Sequence, residues 1–237
     1  MDKRENDGKK LENIVLKTIT QYHLIEPNDT VIVGVSGGPD SICLLDILNK
    51  IAKCPHLLPE PVGKRTSPFT PGTSGEMLKI VVAHLNHRIR KEAKEDEQYV
   101  EDYCKRNEIE FYAKSIDVQK LAHTNKIGTE EAGRIARYEF FDEILKKTKA
   151  NKIAIAHNKN DKIETILMHT LRGSGMEGLK GIEPKRGNII RPLLACERIE
   201  IEAYCQEKQL NPRIDKTKCC DSVYSKGIQS KYYSNNR

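Results

Sequence analysis

The sequence predicts an α/β fold, a doubly wound and mainly parallel sheet with helices on both faces. Three observations predict it. Short aliphatic and β-branched runs at Thr30–Val35, Leu78–Leu85 and Lys152–Ala156 read as strands buried on both sides. Segments with apolar residues at helical spacing stand between them. Distinctive polar or glycine-rich stretches follow directly after Val35, Leu85 and Ala156, where open parallel sheets bind their ligands.

The elements follow in order. Leu11, Ile14, Val15 and Ile19 recur at helical spacing and predict an amphipathic helix to about Leu24, broken by Pro27-Asn28-Asp29; residues 1–29 form a leading helical segment. The first strand, Thr30–Val35, passes through Ser36–Ser41 into a helix from Ile42 to about Lys53. At 54–76 five prolines and several Gly, Ser and Thr residues mark an insert with no core to contribute. The second strand, Leu78–Leu85, leads to an acidic helix from about Glu95 to Arg106 and a strand near Glu110–Ser115. Thr129 is expected as the N-cap of a helix that Glu130 and Glu131 open and Lys146, Lys147 and Lys149 close, charges that suit the two ends of the dipole. A fourth strand, Lys152–Ala156, precedes a helix from about Asp161 to Leu171. A short strand at Ile189–Ile190 and a helix from about Glu197 to Lys208 complete the pattern.

A chain of 237 residues can bury roughly seventy per cent of its unfolded surface and needs no covalent staples. The formal net charge of +6 suits a polyanionic partner and equally suits solvated lysines. Seven cysteines without a C-x-x-C pair indicate neither a disulfide framework nor a zinc ribbon; Cys43 and Cys104 sit among apolar neighbours and read as core residues. The charged amino terminus lacks a signal peptide's apolar centre, and no apolar run approaches the roughly twenty residues of a membrane span. A cytoplasmic protein without a membrane is expected.

Ser36, Gly37, Gly38, Pro39, Asp40 and Ser41 lie between a buried strand and a helix start, the context of a phosphate cradle. Glycines let backbone N–H groups close around oxygens, and a helix N-terminus favours negative charge. Ser36 and Ser41 add hydroxyl donors. Asp40 suits an anion site only if it also engages magnesium. The Gly-Lys-Ser/Thr ending of a Walker A loop is missing, as is the dinucleotide G-x-G-x-x-G.

Ser-Gly-Gly-x-Asp-Ser after a strand resembles the PP-loop of N-type ATP pyrophosphatases, which cleave ATP between the α- and β-phosphates and adenylate a substrate. Other segments are similar to the tRNA(Ile)-lysidine synthetase family in particular: His84-Leu85-Asn86-His87-Arg88-Ile89-Arg90, Glu131-Ala132 with Arg137-Tyr138-Glu139-Phe140-Phe141, and His157-Asn158-Lys159-Asn160-Asp161 with Glu164. Leu171-Arg172-Gly173-Ser174-Gly175, Ile190-Arg191-Pro192 and Pro212-Arg213-Ile214-Asp215 extend the match. Asn158 and Asn160 depart from the commoner His-His-x-Asp-Asp pattern. The resemblance covers a PP-loop ATP-pyrophosphatase domain at 30–217, and residues 218–237 form a divergent tail where relatives carry further domains.

The resemblance implies an adenine nucleotide α-hydrolase-like fold and a ligase using ATP and Mg2+. ATP would adenylate the C2 oxygen of the wobble cytidine of an isoleucine tRNA with a CAU anticodon, and free L-lysine would displace AMP to give lysidine. The lysine amine, with a pKa near 10.4, is deprotonated in only about one molecule in a few thousand at pH 7, so a carboxylate able to accept its proton is needed. Asp161 is the candidate, and it reads equally as a helix N-terminal carboxylate. His157 is expected to touch phosphate or Asp161, with Asp40 and His157 joining Asp161 as the catalytic set. Ser36, Gly37, Gly38, Pro39, Asp40 and Ser41 would cradle ATP, and Asp40 would hold Mg2+. Arg134, Arg137 and Arg172 are candidates for the ATP phosphates or the tRNA backbone, with a buried structural role open for Arg137. The basic run of His87, Arg88, Arg90, Lys91 and Lys94 suits RNA. A homodimer stays open. Two other readings also stay open: a PP-loop tRNA thiolase, disfavoured by the missing C-x-x-C, and a truncated remnant that binds ATP or tRNA without turnover.

Overall fold

A computed structural model describes residues 5–54, 57, 78–86, 93–173 and 179–213. Most of the expected insert, His87–Lys91 of the basic run and the divergent tail lie outside these residues. The strands are β1 (Thr30–Gly34), β2 (Lys79–Asn86), β3 (Glu110–Ser115), β4 (Lys152–Ala154), β5 (Lys185–Arg186) and β6 (Ile189–Ile190). They form one sheet in the order β3-β2-β1-β4-β6-β5. β1 pairs in parallel with β2 and β4, β2 with β3, and β4 with β6; only the edge hairpin β5–β6 is antiparallel. The expected α/β class is what the chain adopts.

Side chains alternate across a strand, and this sheet uses both faces. Val31, Val33, Ile80 and Val82 enter a core shared with helices α1 (Glu5–Gln21), α2 (Pro39–Lys53), α3 (Ala93–Asn107) and α7 (Arg198–Glu207). Ile32, Val81, Ala83 and Ile153 face the other way, onto Phe140, Phe141 and Ile144 of α5 (Thr129–Thr148). Each fully buried valine or isoleucine contributes about 1.5–3 kcal/mol, which is why these strands read as unbroken apolar runs. α5 approaches β1 closely at Gly34, where a Cβ would stand 2.7 Å from the Phe141 ring. The leading helix places Leu11, Val15 and Ile19 in the same core, and its Gly8 N–H donates to Glu207 of α7 at 2.9 Å.

Four features of the helices differ from the sequence expectation. α2 starts at Pro39 and not Ile42, because proline is pre-set for the first helical position and its missing N–H costs nothing there. A helix not foreseen, α4 (Val118–Asn125), is capped by Asp117, which accepts from the Lys120 N–H at 3.0 Å. The cap of α5 is Gly128, without a side-chain bond, and Thr129 is the first helical residue. The last helix before the edge hairpin, α6 (Lys159–Leu171), starts at Lys159 under an Asn158 cap and not at Asp161. No helix among the described residues is long and apolar enough to cross a membrane.

Two polar clusters brace this frame. At the end of the sheet away from the Ser36–Ser41 loop, buried Asp29 pairs with buried Lys152 at 2.6 Å and accepts from the Asn151 amide at 2.6 Å. Within the α1/α2 layer, Asp46 accepts from the Tyr103 hydroxyl at 2.7 Å and from the Tyr204 hydroxyl at 2.8 Å. Burial, and then Asp46 itself, push both tyrosine pKa values up, so both remain donors. This joins α2 to α3 and α7.

Candidate active site

The loop after β1 is built from its own backbone and two serines. Val35 continues the strand by donating to the Ala83 carbonyl at 3.0 Å. Its own carbonyl accepts from buried His84 Nδ1 at 2.9 Å, since a carbonyl can only accept. Burial lowers the His84 pKa and keeps the ring neutral. Gly37 then adopts φ +89°, a region that favours glycine. Gly38 caps α2 with no side-chain hydrogen bond, which leaves backbone N–H groups of the first turn without a side-chain cap. Ser41 Oγ accepts from the Ser36 N–H at 3.2 Å, donates to the Gly38 carbonyl at 3.0 Å and lies 3.2 Å from Ser36 Oγ.

The rim of this loop carries carboxylates. The Gly37 carbonyl accepts from the Arg213 N–H at 3.0 Å, and a Cβ on Gly37 would lie 3.5 Å from Asp96. The Arg213 guanidinium pairs with Glu95 at 3.0 Å and Asp96 at 3.9 Å. Asp40, in the first turn of α2, lies 3.8 Å from the Arg198 guanidinium.

The second segment begins where β4 ends. Asn158 is fully buried and forms a capping box with Asp161. Asn158 Oδ1 accepts from the Asp161 N–H at 3.0 Å, and Asp161 Oδ2 accepts from the Asn158 N–H at 2.9 Å. The Asn158 amide also donates to Asp40 Oδ1 at 3.1 Å. Asp40, Asp161 and His157 are thus brought together at the carboxyl ends of the adjacent strands β1 and β4. One Asp161 oxygen serves the helix cap, in line with the helix-terminal reading of that residue, and the capping does not exhaust the carboxylate.

His157 accepts at Nδ1 from Arg191 Nε at 3.0 Å, and Arg191 Nη1 donates to the Glu183 carbonyl at 2.7 Å. The His157 pKa is lowered by burial and then by Arg191 and Arg137, against an opposing pull from Asp161. Arg137 is exposed and not buried, although neighbouring protein desolvates its guanidinium enough to lower its pKa. Its field reaches His157, which places it beside the cluster. Arg134 is also exposed and pairs with Glu131 of its own helix at 2.7 Å. Arg172 is exposed just past α6, where its N–H donates to the Met168 carbonyl at 3.1 Å. Among the described residues no hydrogen bond or ion pair joins Arg134 or Arg172 to the loop. Glu164 is exposed on α6.

Four contributors were given no role from sequence: Asn158, Arg191 and His84, which stand in the matched segments, and Arg198. Asn158 carried a readable signal, since asparagine followed three residues later by a carboxylate is a capping pattern. Arg191, Arg198 and His84 did not, because their partners are remote in the chain. No group of three or more potential metal ligands occurs among the described residues. A single carboxylate beside a phosphate cradle is nevertheless the donor set Mg2+ takes when phosphate oxygens complete its shell.

Comparison with known proteins agrees with this geometry. A profile of the PP-loop domain family matches residues 7–228. The tRNA(Ile)-lysidine synthase of Clostridium acetobutylicum is 48% identical over 207 residues, covering 86% of this chain and 40% of that protein. The corresponding synthase of Clostridium tetani is 46% identical over 216 residues, covering 90% of this chain and 42% of that one. The chain therefore spans about two fifths of the length of these relatives. Among solved structures, the U34-tRNA thiolase NcsA of Methanococcus maripaludis superposes with a TM-score of 0.67 at 19% identity, covering 88% of this chain and 66% of that one. That likeness shows the shared fold.

Proposed function

The chain belongs to the PP-loop domain family, and on that premise we propose that it carries the catalytic centre of a tRNA(Ile)-lysidine synthase. The observation that carries the proposal is the meeting of two motif segments, Ser36–Ser41 and His157–Asp161, through the Asn158–Asp40 hydrogen bond. The names of relatives 48% and 46% identical over most of the chain support the same reading.

In this reading ATP lies with its phosphates against the first turn of α2 and the Gly37–Gly38 backbone. Fixed N–H donors and the helix dipole stabilise charge on the transferring phosphate without reorganising. Ser36 and Ser41 hold the loop in shape. Mg2+ would be held by Asp40 with phosphate oxygens, and when bound it supplies charge neutralisation. Arg137, beside His157, offers a guanidinium to phosphate, whereas Arg134 and Arg172 are better placed for the tRNA backbone. The adenylated group is the C2 oxygen of the wobble cytidine in an isoleucine tRNA with a CAU anticodon. Asp161 would orient the amine of free L-lysine and accept its proton.

Mass spectrometry of that tRNA after incubation with protein, ATP, magnesium and lysine tests the proposal. Lysidine at the wobble position is expected, together with AMP and pyrophosphate. In a parallel incubation with sulfide in place of lysine, sulfur incorporation with pyrophosphate release would replace the ligase by a thiolase, and binding without turnover in both would reduce the chain to a remnant.

A further inference from the structure

We infer that Arg191 is a positioning residue that sets His157 as a neutral ring with its proton on Nε2, so that His157 meets substrate as a hydrogen-bond donor and not as a base. The meeting with substrate rests on the proposed ligase reading; the tautomer does not.

An arginine can only donate. The 3.0 Å contact from Arg191 Nε to His157 Nδ1 therefore requires an unprotonated Nδ1 that accepts. In a neutral imidazole the proton then sits on Nε2, the nitrogen that remains for a ligand. Protonating Nδ1 would set two donors against each other and place a cation beside a second cation. Arg191 is itself held firmly in place. It is 7% exposed, its Nη1 is fixed on the Glu183 carbonyl at 2.7 Å, and Tyr138 of α5 acts electrostatically on the guanidinium.

The charged groups acting on His157 from the surrounding elements are Arg191 after β6, Arg137 on α5 and Asp161 on α6. Two of these three disfavour the imidazolium and burial disfavours it further. A ring in this setting is a poor acceptor for the proton of the lysine amine, which leaves that role to Asp161. It is a good donor, which suits a phosphate or developing oxyanion. His84 provides a contrast in the same molecule, because its Nδ1 donates to the Val35 carbonyl and so holds the opposite tautomer.

The test is a pH titration of the free, full chain with 15N-labelled histidine, followed by two-bond proton–nitrogen NMR and assigned with His157→Gln. The expected wild-type result at pH 7.5 is an unprotonated Nδ1 and a protonated Nε2 for His157, the reverse for His84, and acidification midpoints below that of free histidine. In Arg191→Met, His157 should bind its proton about tenfold more tightly, one pKa unit, while His84 is unchanged. Arg191→Lys keeps the charge and should leave the titration near wild type. Arg191→Gln removes the charge while keeping a polar side chain beside the Glu183 carbonyl; it should raise the His157 midpoint as the methionine variant does, and carries the comparison if that variant folds poorly. A His157 proton on Nδ1 in the wild type, or an unaltered titration in Arg191→Met, would overturn the inference. Because no nucleotide or tRNA is present, loss of the ligase reading would leave this result standing. With ATP and tRNA, the pH profile of pyrophosphate release should stay level below pH 6.5 in the wild type and bend nearer neutrality in Arg191→Met.

Discussion

Asn158 donates its side-chain amide to Asp40 Oδ1 at 3.1 Å, and that bond unites the loop after β1 with the helix after β4. The same asparagine caps α6, so one buried side chain serves both the fold and the site. Asn158→Ala should lose about 1–3 kcal/mol of stability from the missing cap and the stranded partners. Displacing Asp40 should lower pyrophosphate release roughly a hundredfold. Asn158→Asp can still cap, but it sets a buried carboxylate against Asp40. Defective pyrophosphate release together with a lowered urea midpoint is the expected outcome for that variant, and normal release by the folded fraction would show that Asp40 needs no such anchor.

Asp161→Asn distinguishes the half-reactions. The amide keeps the shape and can still accept at the cap, but it cannot take a proton. Adenylated tRNA should accumulate while lysidine formation fails, and the defect should ease as pH rises and more lysine amine is free. Rapid-quench assays with labelled ATP resolve the two species. Equal loss of both steps would leave Asp161 with the capping role alone.

Stability should fall on acidification below about pH 6.5, the ordinary histidine value. His84 and His157 both have folded pKa values lowered by burial. Between the folded and unfolded values the unfolded chain binds more protons, so unfolding free energy rises with pH there. The contribution is complete above the unfolded pKa and is lost as pH falls through the folded ones. Urea midpoints measured from pH 5 to 8 should fall more steeply on the acid side in the wild type than in His84→Gln/His157→Gln.

Removing Lys152 should leave Asp29 buried without its cation. Lys152→Ala is expected to cost about 3–5 kcal/mol, read as a fall in the denaturant midpoint, and Asp29→Asn in the same chain should recover part of it. Nucleotide binding by the folded fraction should be unaltered, because this pair lies at the opposite end of the strands from Gly37.

What the sequence made legible was whatever depends on neighbours in the chain. Val31–Val33 and Ile80–Val82 showed their burial by composition, and the place of Ser36–Ser41 between a strand and a helix was readable from its neighbours. β5 could not be read, because Lys185 and Arg186 are both exposed and become a strand only by pairing with Ile189 and Ile190 across the turn at Gly187. α4 was missed behind its polar residues, although Asp117 was a readable cap. Arg134 and Arg172 looked like phosphate ligands by type, and only the fold separates them from Arg137. Arg191 could not be given its role from sequence because the histidine it holds is 34 positions away.

The carboxylates of Asp40, Glu95 and Asp96 outnumber the guanidiniums of Arg198 and Arg213 at the loop's rim. Among the described residues, these rim groups therefore add no positive surplus to the loop. A bare polyphosphate arriving there meets short-range repulsion before it reaches the backbone donors, and one already escorted by a divalent cation meets less of it. On the proposed reading, the rim would favour a nucleotide by its charge state ahead of any contact with its base or sugar.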